Sequence, residues 1–156
     1  MKIIEIVPYD ENWPREFARI AEPLRATLRE VALRIDHIGS TSVPGLAAKD
    51  IIDVQMTVRD FDAPFEALLG SLGYIRRLDI NRDHLPPQVL GPASEWEKRY
   101  FQPPEGQRPT HLHVRAQGRA NQRYALLFRD YLRAYPVAAG AYGEIKRALA
   151  RYHPEN

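Results

Sequence analysis

Two short stretches of the chain carry the side chains best suited to chemistry. In the first, Gly39-Ser40-Thr41-Ser42 follows the apolar run at residues 35–38, and Lys49 and then Ile51-Ile52-Asp53-Val54-Gln55 come after it. A glycine-hydroxyl turn at the end of a strand can aim backbone N–H groups and hydroxyls at an anion. Lys49 could counter phosphate charge, or simply face water. Strand alternation puts Asp53 and Gln55 on one face, about 7 Å apart at their Cα atoms, with Ile52, Val54, Met56 and Val58 on the other. Asp50 has the opposite parity and is expected to cap the strand entry.

In the second stretch, Thr110-His111-Leu112-His113-Val114-Arg115, both histidines share a face with Arg115. Two histidines at i and i+2 of a strand can chelate a metal or hold a phosphate, and neutral imidazole suits zinc, iron or manganese better than magnesium. Each pattern also has a plainer description. Gly39-Ser40 reads equally as a helix-capping turn, Asp53 as a hydrogen-bonded acid in a half-buried strand, and the histidines as structural. His37 could reach the turn or orient Asp53.

The rest of the chain must position these groups. Residues 3–7 read as a first strand. A helix is expected from about residue 12, with Asn12 as cap, to Leu33, on the apolar stripe Trp13, Phe17, Ile20, Leu24, Leu28 and Val31. A second helix is expected over residues 61–72, closed by Gly73, and a short strand begins at Tyr74-Ile75. Residues 79–94 hold three prolines and a glycine and read as a long loop, the kind that tends to be functional. Residues 96–102 and 110–117 alternate as a strand pair. Two helices follow, one with the stripe Tyr124, Leu127, Phe128, Tyr131 and Leu132, the other with Tyr142, Ile145, Leu149 and Tyr152. These two are expected to pack as a hairpin. The order reads as α+β, a mixed sheet with helices packed against it.

With 156 residues the chain fits one domain, residues 1–156. Its 44% hydrophobic and 27% charged residues describe an ordinary globule with no membrane span. The absence of cysteine removes disulfides and thiolate metal sites, and with no signal-peptide pattern a cytoplasmic location is expected. A net charge of +2, with bases and acids interleaved, argues against a nucleic-acid partner.

The run His37-Ile38-Gly39-Ser40-Thr41-Ser42-Val43-Pro44-Gly45-Leu46-Ala47-Ala48-Lys49, followed by Ile51-Ile52-Asp53-Val54, resembles the signature of the GrpB family. The likeness extends to residues 9–14, to Lys98-Arg99-Tyr100-Phe101, to His111-Leu112-His113-Val114 and to Phe128-Arg129-Asp130-Tyr131-Leu132-Arg133, and so covers nearly the whole chain. GrpB proteins are similar to the nucleotidyltransferase superfamily, and a related domain occurs fused to dephospho-coenzyme A kinase. That resemblance implies a nucleotidyltransferase-like fold binding a nucleotide or another phosphorylated small molecule. Gly39, Ser40, Thr41, Lys49 and Arg129 would surround the phosphate, and Asp53, His111 and His113 a divalent metal, magnesium or manganese ahead of zinc. Gln55 stands where the superfamily has a second acid, and with Asp53 it would form the catalytic pair. An amide brings no negative charge, so the alternative is a non-catalytic ligand-binding or assembly module on the same fold.

Overall fold

The structure, a computed structural model, describes residues 4–153. Its elements run α1 (Trp13–Leu28), β1 (Arg34–Ile38), β2 (Ile52–Val58), α2 (Phe65–Ser71), β3 (Ile75–Arg77), β4 (Arg99–Gln102), β5 (Thr110–Ala116), α3 (Ala120–Ala134) and α4 (Pro136–Tyr152). The strands form one five-stranded mixed sheet in the order β1-β2-β5-β4-β3, in which only the central pair, β2 and β5, is parallel. With four helices, the last two a C-terminal pair, this is an α+β fold. No helix among the described residues is long and apolar enough to cross a membrane.

Period-two alternation explains how the sheet divides. Ile52, Val54, Met56 and Val58 of β2, with Leu112 and Val114 of β5, are fully buried against Trp13, Ile20, Leu24 and Leu28 of α1 and Phe65 and Leu69 of α2. Burying each such side chain stabilises the fold by roughly 1.5–3 kcal/mol, so a slip of one residue, which would drive Asp53 into this core, is strongly disfavoured. The opposite face therefore carries Asp53, Gln55 and Thr57 beside His111, His113 and Arg115, partnered one to one in the parallel register. The C-terminal pair adds a smaller core of Val43, Leu46, Leu132 and Ala139.

Several boundaries differ from the sequence reading, each for a physical reason. Of the expected first strand, Ile3 lies outside the described residues, and the remainder forms a single bridge in which Val7 and Ala48 exchange hydrogen bonds of 2.8 and 3.0 Å. Asn12 stands at the N-cap of α1, as expected, but in helical conformation and without a side-chain cap bond: its backbone N–H and side-chain amide both donate to Asp10 Oδ1. The helix stops at Leu28 because Arg29 takes φ +45°, and the Leu33 N–H is bound to the Thr57 carbonyl, so pairing with β2 prevails over helical periodicity. Helix α2 begins only after Pro64, since Phe61 is held under the guanidinium groups of Arg99 and Arg119, 4.1 and 5.0 Å from its ring centre. Residues 93–96 are a 3₁₀ turn, and strand β4 starts at Arg99. The stripe on α3 is packed only in part: Leu132 is buried, but Tyr124, Leu127 and Tyr131 are more than half exposed, as are Ile145, Leu149 and Tyr152 on α4.

Candidate metal and phosphate site

The candidate site lies where β1 ends and β2 and β5 begin. Antiparallel pairing sets Ile38 opposite Asp53, and parallel pairing sets Asp53 opposite His111 and Gln55 opposite His113. Asp53 Oδ1 lies 3.0 Å from His111 Nδ1 and 3.7 Å from His113 Nε2. One ligand atom from each of the three residues falls within 4.8 Å of the others, spacing that suits a single cation.

The electrostatics leave Asp53 and His113 in ligand form. Burial alone would raise the Asp53 carboxyl, but hydrogen bonding and charge from His111 and His113 outweigh it and hold the group below the usual carboxylate range. Burial drives His113 down to about 4 against the pull of Asp53, so its imidazole is neutral at pH 7 with a lone pair to give. Its Nδ1 is buried without a partner among the described residues. Tyr100, paired with His113 across β4 and β5, lies edge-on to both imidazoles, with ring centres 5.4 and 5.6 Å away.

Gly39 is where this site meets the hydroxyl turn. It adopts φ +70°, ψ −172°, a region almost closed to side-chain-bearing residues, and a Cβ placed on it would lie 2.4 Å from Asp53 Oδ2. The turn that follows is one 3₁₀ turn, Ser40–Ser42, locked by Ser42 Oγ donating to the Gly39 carbonyl at 2.5 Å. Thr41 Oγ1 lies 2.9 Å from His37 Nε2, and His37 stacks on Phe17 at 4.8 Å, with burial lowering its pKa to about 4. His37 therefore braces the turn from behind, as a neutral ring, and does not face Asp53.

Two cavities open on either side of Ser40 and Asp53, which line both. The first, of about 400 Å³, also takes Thr41, Lys49, His111, Lys146 and His153 and is otherwise aliphatic. The second, of about 350 Å³, takes Gly39, His113 and Arg129 together with aromatic rings. Arg129 is fixed from α3 by donating to the His37 carbonyl at 3.1 Å, and Lys146, lowered to about 8 chiefly by burial, donates to the Ala47 carbonyl at 2.6 Å. Every residue expected at the site lines one of these cavities except Gln55.

A model of the GrpB protein family matches residues 3–156. The chain belongs to the GrpB family. Over 97% of its length it superposes on a crystal structure of the conserved protein GrpB from Enterococcus faecalis, with a TM-score of 0.76, 31% identity and 86% of that chain covered. It is 37% identical to a protein named dephospho-CoA kinase from Mycolicibacterium paratuberculosis, over 93% of this chain and 39% of that protein. It is also 37% identical to UPF0157 protein YqkA of Bacillus subtilis, over 98% of this chain and 41% of that one. The chain thus spans about four-tenths of the length of these two curated relatives.

Within this GrpB fold Gln55 serves as a strut. It is fully buried, its Oε1 accepts from Arg115 Nη1 at 2.7 Å, and its Nε2 donates to the Gln122 carbonyl at 3.1 Å. Arg115 also clasps Asp83 through Nε and Nη2 at 2.8 and 3.0 Å, and Asp83 further accepts from Lys98 at 2.7 Å and Asn121 at 3.0 Å. Burial would raise the Asp83 carboxyl, yet these cations hold it below the ordinary range. Asp83, Asn121 and Lys146 were not singled out from the sequence. Only the length and proline content of the 79–94 loop pointed toward Asp83, and nothing local pointed to the other two. Asp50 keeps clear of the site, bound by Trp13 Nε1 at 2.8 Å and by Arg108.

Proposed function

We propose that this GrpB chain is a nucleotidyltransferase-like protein that binds a nucleotide or another phosphorylated small molecule beside a divalent cation held by Asp53, His111 and His113. The observation that carries the reading is the convergence of one carboxylate and two imidazoles within 4.8 Å. A set with two nitrogen donors fits manganese, iron or zinc better than magnesium, and manganese is the cation we favour. When bound, the cation would supply charge neutralisation at a phosphoryl group. The chain's own part is to orient that group: Ser40 between the two cavities, Lys49 beside the first, and Gly39 and Arg129 beside the second. The name of the mycobacterial relative supports a phosphorylated ligand to the same coarse degree. A cytoplasmic setting belongs to this reading and accords with a chain that has no cysteine.

The test is calorimetric titration of Mn²⁺, then of a nucleotide in its presence, into the wild type and Asp53→Ala. Loss of the metal heat and weaker nucleotide binding in the variant are expected, and equal heats for both proteins would remove Asp53 from the site. Gln55 favours a second reading. Where a second acid would stand, its amide is engaged at both ends, which leaves one carboxylate in the set and suits a module that binds without turnover. Ligand binding that persists in full in EDTA would select that module.

A further inference from the structure

The second cavity has features that the metal and phosphate do not use. Its walls carry four aromatic rings: Trp96, Tyr124, Phe128 and Tyr142. Trp96 meets Tyr124 edge-on at 6.0 Å, Tyr124 and Phe128 lie parallel at 6.1 Å, and Phe128 meets Tyr142 edge-on at 5.4 Å. Tyr124 is 52% and Phe128 37% exposed, so π-faces are left open rather than packed away. In the same wall Asn121 is 2% exposed, and its Nδ2 is engaged by Asp83 and the Glu97 carbonyl. Its Oδ1 has no partner among the described residues. A buried acceptor without a donor is uncommon enough to need a cause.

Resting on the reading of Asp53 and Ser40 as a cation and phosphate site, we infer that the second cavity takes a flat heteroaromatic ring bearing an N–H donor, joined to that phosphate. A nucleobase has this chemistry. The ring stacks on Tyr124 or Phe128, its N–H meets Asn121 Oδ1, and the phosphate ends at Ser40, which both cavities share. Stacking of a base on an aromatic side chain is sequence-tolerant, so the cavity selects a class of ring before it selects one base.

Binding of AMP, GMP, CMP and UMP, each with Mn²⁺, is compared with binding of ribose 5-phosphate, by calorimetry and by fluorescence of Trp96 with Trp96→Phe as the signal control. At least one nucleotide is expected to bind about tenfold or more tightly than ribose 5-phosphate and to quench Trp96. Tyr124→Leu with Phe128→Leu should reduce that advantage to about twofold or less. Mn²⁺ alone is titrated into the same double variant, and its thermal midpoint recorded, so that damage to the metal site or the fold is read separately. If no nucleotide binds better than ribose 5-phosphate, or the preference survives in a folded double variant, the inference is overturned. Adenosine without metal separates the two readings: quenching of Trp96 in Asp53→Ala would leave the ring cavity standing even where the cation site has failed.

Discussion

Replacing Gly39 by alanine tests the physical link between the turn and the acid. Two penalties arise from the structure. At φ +70° and ψ −172° a residue with a Cβ is strained by roughly 1–3 kcal/mol. The new methyl also meets Asp53 Oδ2 at 2.4 Å and Asp53 Cβ and Cγ at 3.0 Å, and overpacking of this kind costs about 1–3 kcal/mol. In the wild-type background Gly39→Ala should therefore destabilise by about 3 kcal/mol. In an Asp53→Ala background the carboxyl group is gone, only the Cβ contact and the backbone strain remain, and the penalty should fall to about 1.5 kcal/mol. The difference is the coupling between the two positions, and what Asp53→Ala does by itself cancels from it. Urea unfolding of all four proteins, without metal and followed by the fluorescence of the buried Trp13, measures it. A coupling smaller than about 0.5 kcal/mol, the ordinary limit of additivity, would show that glycine at 39 is required by backbone geometry alone and that Asp53 does not press on it.

Other outcomes concern the groups behind the site. Asp83→Asn removes the anion from Arg115 and Lys98, whose side chains are 7% and 10% exposed, and should destabilise by about 3–5 kcal/mol in chemical unfolding, whereas Leu90→Ala in the same loop, at a residue 97% exposed, should have little effect. A loss below about 1 kcal/mol on Asp83→Asn, which is less than the desolvation of one unpaired charge, would discard the network as a stabilising one. His37 is lowered from 6.5 to about 4, so the unfolded chain binds a proton that the folded one refuses. Its stabilising effect is complete above pH 6.5 and disappears as pH falls toward 4, by about 3 kcal/mol. His113 has the same sign. Stability of His37→Gln should therefore fall less steeply than that of the wild type as pH drops from neutral to about 4, and parallel curves would refute the assignment.

What could be read from the sequence was whatever a strand or helix settles by its own period. Alternation within residues 51–58 put Asp53 and Gln55 on the face away from Ile52 and Val54, and alternation within residues 110–115 did the same for both histidines, as the structure bears out. Neither period says that β2 and β5 are neighbours, that they are parallel, or that Asp53 stands level with His111. Those facts depend on pairing across 58 residues. The aromatic stripe on α3 was legible only as far as its own period. Spacing shows that Tyr124 and Phe128 share a side of the helix, but not whether anything lies against them. Asp83 sits in an aperiodic, proline-rich loop, and its partners Lys98, Arg115 and Asn121 are 15, 32 and 38 residues away.

The closeness of Gly39 to Asp53 has a structural origin that their separation in sequence hides. Because β1 and β2 are antiparallel and Ile38 pairs with Asp53, the residue just past the end of β1 must lie beside that carboxylate, whatever the intervening residues do. A side chain at 39 would occupy the space of Asp53 Oδ2, so the acid can point toward His111 and His113 only if position 39 lacks a Cβ. A glycine in such a turn is usually explained by the backbone's approach to a phosphate. Here the backbone already requires it for the approach of its own carboxylate, which makes Gly39 part of the geometry of the candidate metal set before any ligand arrives.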